Sequence, residues 1–255
     1  MVRTTVDDRV HTIAFDRPEK KNSLTEETFR EVMDALDRAA QADARAVVVT
    51  GEGDAFCAGG DIDAMKTRDE TVSEAYDRIR GTLTAVIEAI LTAPFPVVAK
   101  VNGDAVGAGS NIAATCDFAI AAEGARFGEV FVNVGLVPDT GGTYLLPHFV
   151  GLRDAKELTM TGRLFDATEA EELRLVNRAV PAADLDGEVA ELLADLDRKP
   201  TDALAKTKRA LHENLGRRFR DGLEREASLL AQAYMGDAHA EGVEAFVEGR
   251  EPDFD

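Results

Sequence analysis

The sequence predicts an α/β protein that ends in a helical region, and three observations carry that prediction. Short apolar, β-branched runs such as 46–50 and 96–101 alternate with amphipathic stretches as far as Gly151, as in strands covered on both faces and separated by helices. Glycine-bearing turns precede helical segments at 56–62, at 102–109 and at 135–143. Beyond Gly151 the strand signal shrinks to residues 178–180, and apolar residues recur at helical spacing instead.

Taken in order, residues 2–15 read as a hairpin, with Val2 to Val6 and Val10 to Phe15 joined by Asp7-Asp8-Arg9. Ser23-Leu24-Thr25-Glu26 has the form of a capping box, and Phe29, Val32, Met33 and Leu36 then follow a helical stripe to about Ala42. Ala46 to Thr50 is a buried strand stopped by Gly51-Glu52-Gly53-Asp54. Val72 to Thr92 predicts one long amphipathic helix with Pro94 as its stop. Pro96 to Val101 is a strand broken by Asn102-Gly103, and the small residues of Val106 to Ala114 read as a buried helix approached closely by another group.

Phe118 to Ala121 and Arg126-Phe127 are short strands, and the 135–143 turn leads into a helix through Leu146. Helical segments follow at 153–161, 167–173 and 184–197. After Lys199-Pro200-Thr201, the stretch from Thr201 to Glu248 is helical with stripes that include Leu204, Leu211, Phe219 and Leu230. A tail this apolar must pack on the core or on another subunit, so the expected division is a core at 1–198 and a helical oligomerisation region at 199–255.

Composition narrows the function. Forty-eight acidic against twenty-nine basic residues give a formal charge of -19, spread along the chain, which argues against a nucleic-acid partner and fits a surface adapted to a high-salt cytoplasm. The two cysteines, Cys57 and Cys116, lie in small or apolar surroundings, and the four histidines are scattered, so no metal site is expected. No apolar run approaches the ~20 residues that span a bilayer, and a cytoplasmic protein without a membrane partner is expected.

The glycine turns suggest chemistry. The first N–H groups of a helix lack intrahelical partners and sit in positive potential, so small residues at 107–110 would let an oxyanion reach them. Close packing alone would also account for glycine there, and the turn by itself leaves both readings open.

Arg17-Pro18-Glu19-Lys20-Lys21-Asn22-Ser23, FCAGGDI at 56–62, VNGDAVGAGSNIAATCD at 101–117 and GLVPDTGGT at 135–143 together resemble the enoyl-CoA hydratase/isomerase (crotonase) family. The likeness keeps family order and spacing from about residue 3 to residue 250. It implies an α/β fold that is a crotonase-like spiral of ββα units, with a helical C-terminal trimerisation region, a homotrimer or dimer of trimers, and an acyl-CoA substrate. No cofactor is implied, CoA being part of the substrate.

By the same resemblance, the backbone N–H groups of Gly60 and Ala108 form an oxyanion hole for the thioester oxygen, each donor worth ~3 kcal/mol at a transition state. Ser23, Ala58, Asp61 and Ile62 fall at positions lining the adenine and pantetheine path, and Gly135 at a position lining the substrate site. Arg17, Lys20 and Lys21 are candidates for the CoA phosphates, with a solvated basic turn as the alternative.

The sequence departs from the hydratase pattern at the chemistry. The two glutamates that hydratases use to hold water and shuttle its proton match Asn111 and Phe131 here. Glu129 would share the face of Phe131 if that segment were extended. Asp139 matches the acid/base aspartate of several isomerases of the family, and capping the following helix is its alternative role. The expected function is an enoyl-CoA double-bond isomerase with Asp139 as acid/base, Asn111 orienting and Phe131 making the pocket apolar. An enoyl-CoA hydratase of fatty-acid degradation and a non-catalytic acyl-CoA-binding member are the alternatives. A serine hydrolase would need a G-x-S-x-G frame that Ser110 lacks, and a dinucleotide fingerprint at Gly51 lacks its third glycine.

Overall fold

Beyond an opening hairpin, strands come in pairs that divide between two sheets. The computed structural model describes residues 1–254. After the antiparallel hairpin of β1 (Val2–Asp7) and β2 (Val10–Phe15) and the helix α1 (Glu26–Gln41), β3 (Ala46–Gly51) is followed by β4 (Ala55–Cys57). Helices α2 (Ile62–Lys66), α3 (Val72–Ile79) and α4 (Ala85–Thr92) lead to β5 (Val97–Val101) and β6 (Asp104–Val106), and then α5 (Ala108–Thr115). The next pair is β7 (Phe118–Ala122) and β8 (Arg126–Gly128), followed by α6 (Gly142–Thr161). Then come β9 (Leu164–Asp166), α7 (Ala167–Glu172), β10 (Arg178–Val180) and α8 (Leu185–Asp197). The hairpin lies wholly in a six-stranded sheet of order β1-β2-β3-β5-β7-β10, and each later pair gives one strand to that sheet and the other to a four-stranded sheet of order β4-β6-β8-β9. Three successive turns of strand, strand and helix make a spiral.

The large sheet explains why its strands read as unbroken apolar runs. Val47, Val49, Val97, Ala99 and Ala121 point into the main core with α1, α4 and α5, while the alternate residues Val48, Val98, Ile120 and Ala122 pack against Leu185, Val189 and Leu196 of α8. Both faces are covered, so the period-2 signal disappears from the sequence while the period-2 geometry remains.

Four local expectations are corrected. The capping box of α1 lies two residues later than Ser23: Thr25 caps, accepting from the Thr28 N–H, and the Thr28 hydroxyl accepts from the Thr25 N–H. The 72–92 helix is interrupted by a π-helical turn at Arg80–Thr84, where the Thr82 hydroxyl donates to the Arg78 carbonyl at 2.7 Å. The predicted helices ending at Leu146 and spanning 153–161 are parts of α6, which kinks at Gly151 (φ 79°, ψ 160°). Strand β9 went unpredicted because only Phe165 of its three residues is buried, its place fixed by antiparallel pairing with β8 and stacking on Phe127 at 6.0 Å.

The chain closes with α9 (Thr201–Asn214), α10 (Phe219–Tyr234) and α11 (Asp237–Glu248). Lys208 on α9 is nearly buried, and its Nζ donates to Asp117 at 2.7 Å and to the Phe95 carbonyl at 3.3 Å, which docks α9 at the entrances of β5 and β7. Phe219, Met235 and Phe246 on the last two helices and the turn between them remain at least four-fifths exposed. Both cysteines are buried, burial pushing the Cys57 thiol up to about 12. No described helix is long and apolar enough to cross a membrane, and no described group of His, Cys, Asp and Glu could hold a metal ion.

Candidate active site

Strands β4, β6 and β8 run parallel and side by side, with Cys57 opposite Ala105 and Val106 opposite Gly128. Their C-terminal ends therefore open next to one another, the place where parallel α/β sheets form ligand crevices. The turns leaving those ends carry Gly59-Gly60, Gly107-Ala108 and Glu129.

The first two turns touch. Gly59 has φ +84°, and a Cβ there would lie 2.8 Å from the Val106 carbonyl oxygen. Gly107 has φ +58° and ψ -123°, a conformation closed to side-chain-bearing residues, and a Cβ there would lie 4.0 Å from Gly59 Cα. Glycine is thus required for close approach and for the second turn's backbone. Just past this contact, Ala108 is the first residue of α5, and the Ala108 and Gly60 N–H groups make no hydrogen bond among the described residues. Two unspent donors beside a helix N-terminus are what an oxyanion needs.

The first turn is pinned from behind. Asp61 Oδ1 accepts from the Asp63 and Ala64 N–H groups and caps α2, while its Oδ2 accepts from the Arg17 guanidinium at 2.8 Å. The Arg17 hydrogen bond holds the Asp61 carboxyl below its ordinary range. Arg17 also donates to the Ser23 carbonyl at 2.7 Å, and Leu24 pairs with the turn through the Leu24 N–H to Gly59 carbonyl bond. Of the three cations expected near CoA phosphates, Arg17 therefore braces the turn, Lys20 pairs with Asp63 at 2.7 Å, and Lys21 is exposed. Ala58 is half-buried beside the turn, its N–H donating to the Lys21 carbonyl, and Ile62 is exposed at the start of α2.

Asp139 is half-buried in the turn before α6 and does not cap that helix. The N-cap is Gly141, and no side chain bonds to the helix end. The Asp139 carbonyl instead accepts from the Gly142 N–H at 2.8 Å and from Asn111 Nδ2 at 2.9 Å, while its carboxylate receives only the Thr140 hydroxyl at 3.0 Å. Burial raises the carboxyl to about 6, with the Thr140 bond opposing. Thr140 itself is buried at φ +45°, a left-handed conformation costly for a β-branched residue and typical of functional turns. Gly135, exposed at φ +73°, ends the 3-10 turn Val130–Val134 ahead of this segment.

That 3-10 turn corrects the placement of Glu129. The chain leaves the strand after Gly128, so Glu129 and Phe131 do not share a strand face. Phe131 packs against the second turn, its ring 3.7 Å from a Cβ built on Gly107. Glu129 is fully buried, 0% exposed, and neither carboxylate oxygen has a hydrogen-bond partner; the adjacent Ser110 hydroxyl is likewise buried and unpartnered. Ser110 and Asn111 lie near enough to oppose the effect of burial, but burial wins and, helped by the Asp139 charge, carries the Glu129 carboxyl to about 7. Its signal in the sequence was a lone carboxylate inside the apolar run FGEVFV.

The family profile described as enoyl-CoA hydratase/isomerase matches residues 5–255. The chain belongs to the enoyl-CoA hydratase/isomerase family. It is 38% identical to a protein of Rhodobacter capsulatus named "Probable enoyl-CoA hydratase", over 99% of this chain and 97% of that one. A crotonyl-CoA hydratase of Syntrophomonas wolfei is 32% identical, over 97% of this chain and 95% of the other. The crystal structure of an enoyl-CoA hydratase of Mycobacterium smegmatis superposes with a TM-score of 0.93 at 32% identity, covering 99% of this chain and 98% of that one. Enoyl-CoA hydratase/isomerase architecture accounts for the paired strands and the two touching turns, and makes this protein an enzyme of that family. The relatives' names speak for hydration and not for the double-bond migration that the sequence motifs put first.

Proposed function

We propose that the protein moves protons on an enoyl-CoA thioester held by its carbonyl oxygen at the Gly60 and Ala108 N–H groups, and that Asp139 is the acid/base that migrates the double bond. The observation that carries this reading is Asp139 itself: a half-buried carboxyl, raised to about 6, that caps no helix and forms no ion pair among the described residues. A base of that strength is ionised at neutral pH yet basic enough to take an α- or γ-proton once the oxyanion hole has stabilised the dienolate, and the acid so formed returns the proton to the other carbon. Migration needs one such group and no held water. Phe131 beside the second turn favours a dry site.

Hydration is the second reading, and the relatives' names favour it. It calls for a water held by acid/base groups, for which Asn111 and Phe131 offer no carboxylate and Glu129 is fully buried. The site's inventory therefore supports migration, and the relatives' names support hydration. Rates of crotonyl-CoA hydration and of 3-enoyl-CoA to 2-enoyl-CoA conversion, measured side by side on the wild type, separate the two. Faster migration is expected; efficient hydration with negligible migration would make the protein a hydratase. Neither activity, with butyryl-CoA still bound in calorimetry, would leave an acyl-CoA-binding protein.

A further inference from the structure

Glu129 is a buried titratable group that the proposed proton transfer does not use. It leaves β8 at the level where Gly107 leaves β6, the Gly107 N–H donating to the Gly128 carbonyl at 2.8 Å. Its neighbours Ser110 and Asn111 are in the first turn of α5, the helix whose leading N–H belongs to Ala108. A carboxyl group thus sits behind one donor of the oxyanion hole, out of water and with both oxygens unpartnered.

We infer that Glu129 is a positioning residue that must keep its proton for the α5 N-terminus to stabilise an enolate, and that its ionisation weakens the oxyanion hole. The inference rests on the enolate chemistry proposed above. Positive potential at the first turn of α5 is what favours the developing oxyanion, and an unscreened negative charge against the same turn cancels much of it. A neutral acid there adds no charge against the turn.

The groups around Glu129 favour its neutral form. From α5 the facing groups are Ser110 and Asn111, neither ionisable, and from the turn before α6 comes Asp139, whose charge disfavours ionisation of Glu129. Asp104 of β6 is paired with Arg126, and Arg163 before β9 spends its guanidinium on Glu157 and Glu169, so no cation compensates Glu129 among the described residues. Asp139 loses its proton first, near 6, and burial, aided by the Asp139 charge, holds the Glu129 proton to about 7. Between those values the site carries one base and no negative charge against α5, the state in which the donors at its N-terminus are at full strength. Above them both carboxyls are charged and the hole is weakened.

The test is the pH profile of kcat/KM for 3-enoyl-CoA conversion in the wild type and in Glu129→Gln. The wild type should show an acid limb from Asp139 and an alkaline limb, with activity about tenfold below its maximum one pH unit above the second ionisation. Glu129→Gln should keep the acid limb and lose the alkaline one, whereas a purely structural role would scale the profile without changing its shape. An alkaline limb that persists in Glu129→Gln overturns the inference. Should that variant not fold, infrared spectroscopy of Asp139→Asn decides: a buried protonated-carboxyl band, titrating at lower pH than in the wild type, is expected, and Glu129 ionised throughout overturns it. Full turnover in Asp139→Asn would remove the base assignment instead, while the Glu129→Gln profile would still judge this inference.

Discussion

Asn111 Nδ2 donates to the main-chain carbonyl of Asp139 at 2.9 Å, so the first turn of α5 is bonded directly to the turn carrying the proposed base. An amide suits this position and a carboxylate does not, because the partner is a carbonyl, which only accepts. The residue that departs from the hydratase pattern is therefore part of the arrangement that sets Asp139 in place. Asn111→Asp should remove the bond and set a second charge near Asp139, lowering kcat about tenfold or more and stability by ~1–2 kcal/mol. Steady-state kinetics with thermal unfolding check this, and an unchanged kcat would separate Asn111 from the placement of Asp139.

Glu129 also makes stability depend on pH, with a definite sign. Its folded value, about 7, lies above its ordinary 4.5, so the neutral form is favoured by folding. The associated stability is fully present below about 4.5 and is lost as pH rises through about 7, on the order of 3 kcal/mol in all. Glu129→Gln cannot ionise, so its stability relative to the wild type should improve between pH 5 and pH 8. Denaturant unfolding at the two values measures that difference, and an equal offset at both would mean that Glu129 is already ionised at pH 5.

The exposed apolar residues of the C-terminal helices should be covered in solution. Phe219, Leu223, Leu230, Tyr234 and Phe246 are between 48% and 88% exposed, more than a separate tail can leave to water. Light scattering at micromolar protein in molar salt should give a trimer or a multiple of it, and a monomer mass would contradict that. With a net charge of -19, the melting temperature should rise from low to molar salt, and a flat response would remove the high-salt reading of the surface.

Much of the fold was legible because β3, β5 and β7 are short apolar runs and glycine turns follow the strands beside them. Strand β9 was not, since its position depends on pairing with β8 and a single buried ring at Phe165. Within the site, Gly60, Ala108, Asn111 and Asp139 were legible as motif positions, and the structure brings Asn111 to Asp139 and Gly59 to Gly107. Glu129 was misread, because a 3-10 turn after Gly128 cannot be told from a continuing strand in a run as apolar as VFVNV. The role of Arg17 was hidden for another reason: its partner Asp61 lies 44 residues away in sequence.

In the proposed reaction Asp139 is the proton-transferring group and not a structural one. Single-turnover conversion of a 3-enoyl-CoA to its 2-enoyl isomer by Asp139→Asn, with binding measured in parallel, tests it most directly. A fall of ~10³-fold in the chemical step is expected, with affinity nearly unchanged and no loss of melting temperature, since the carboxylate caps no helix and only the Thr140 hydroxyl bonds to it. Turnover within tenfold of the wild type would contradict it.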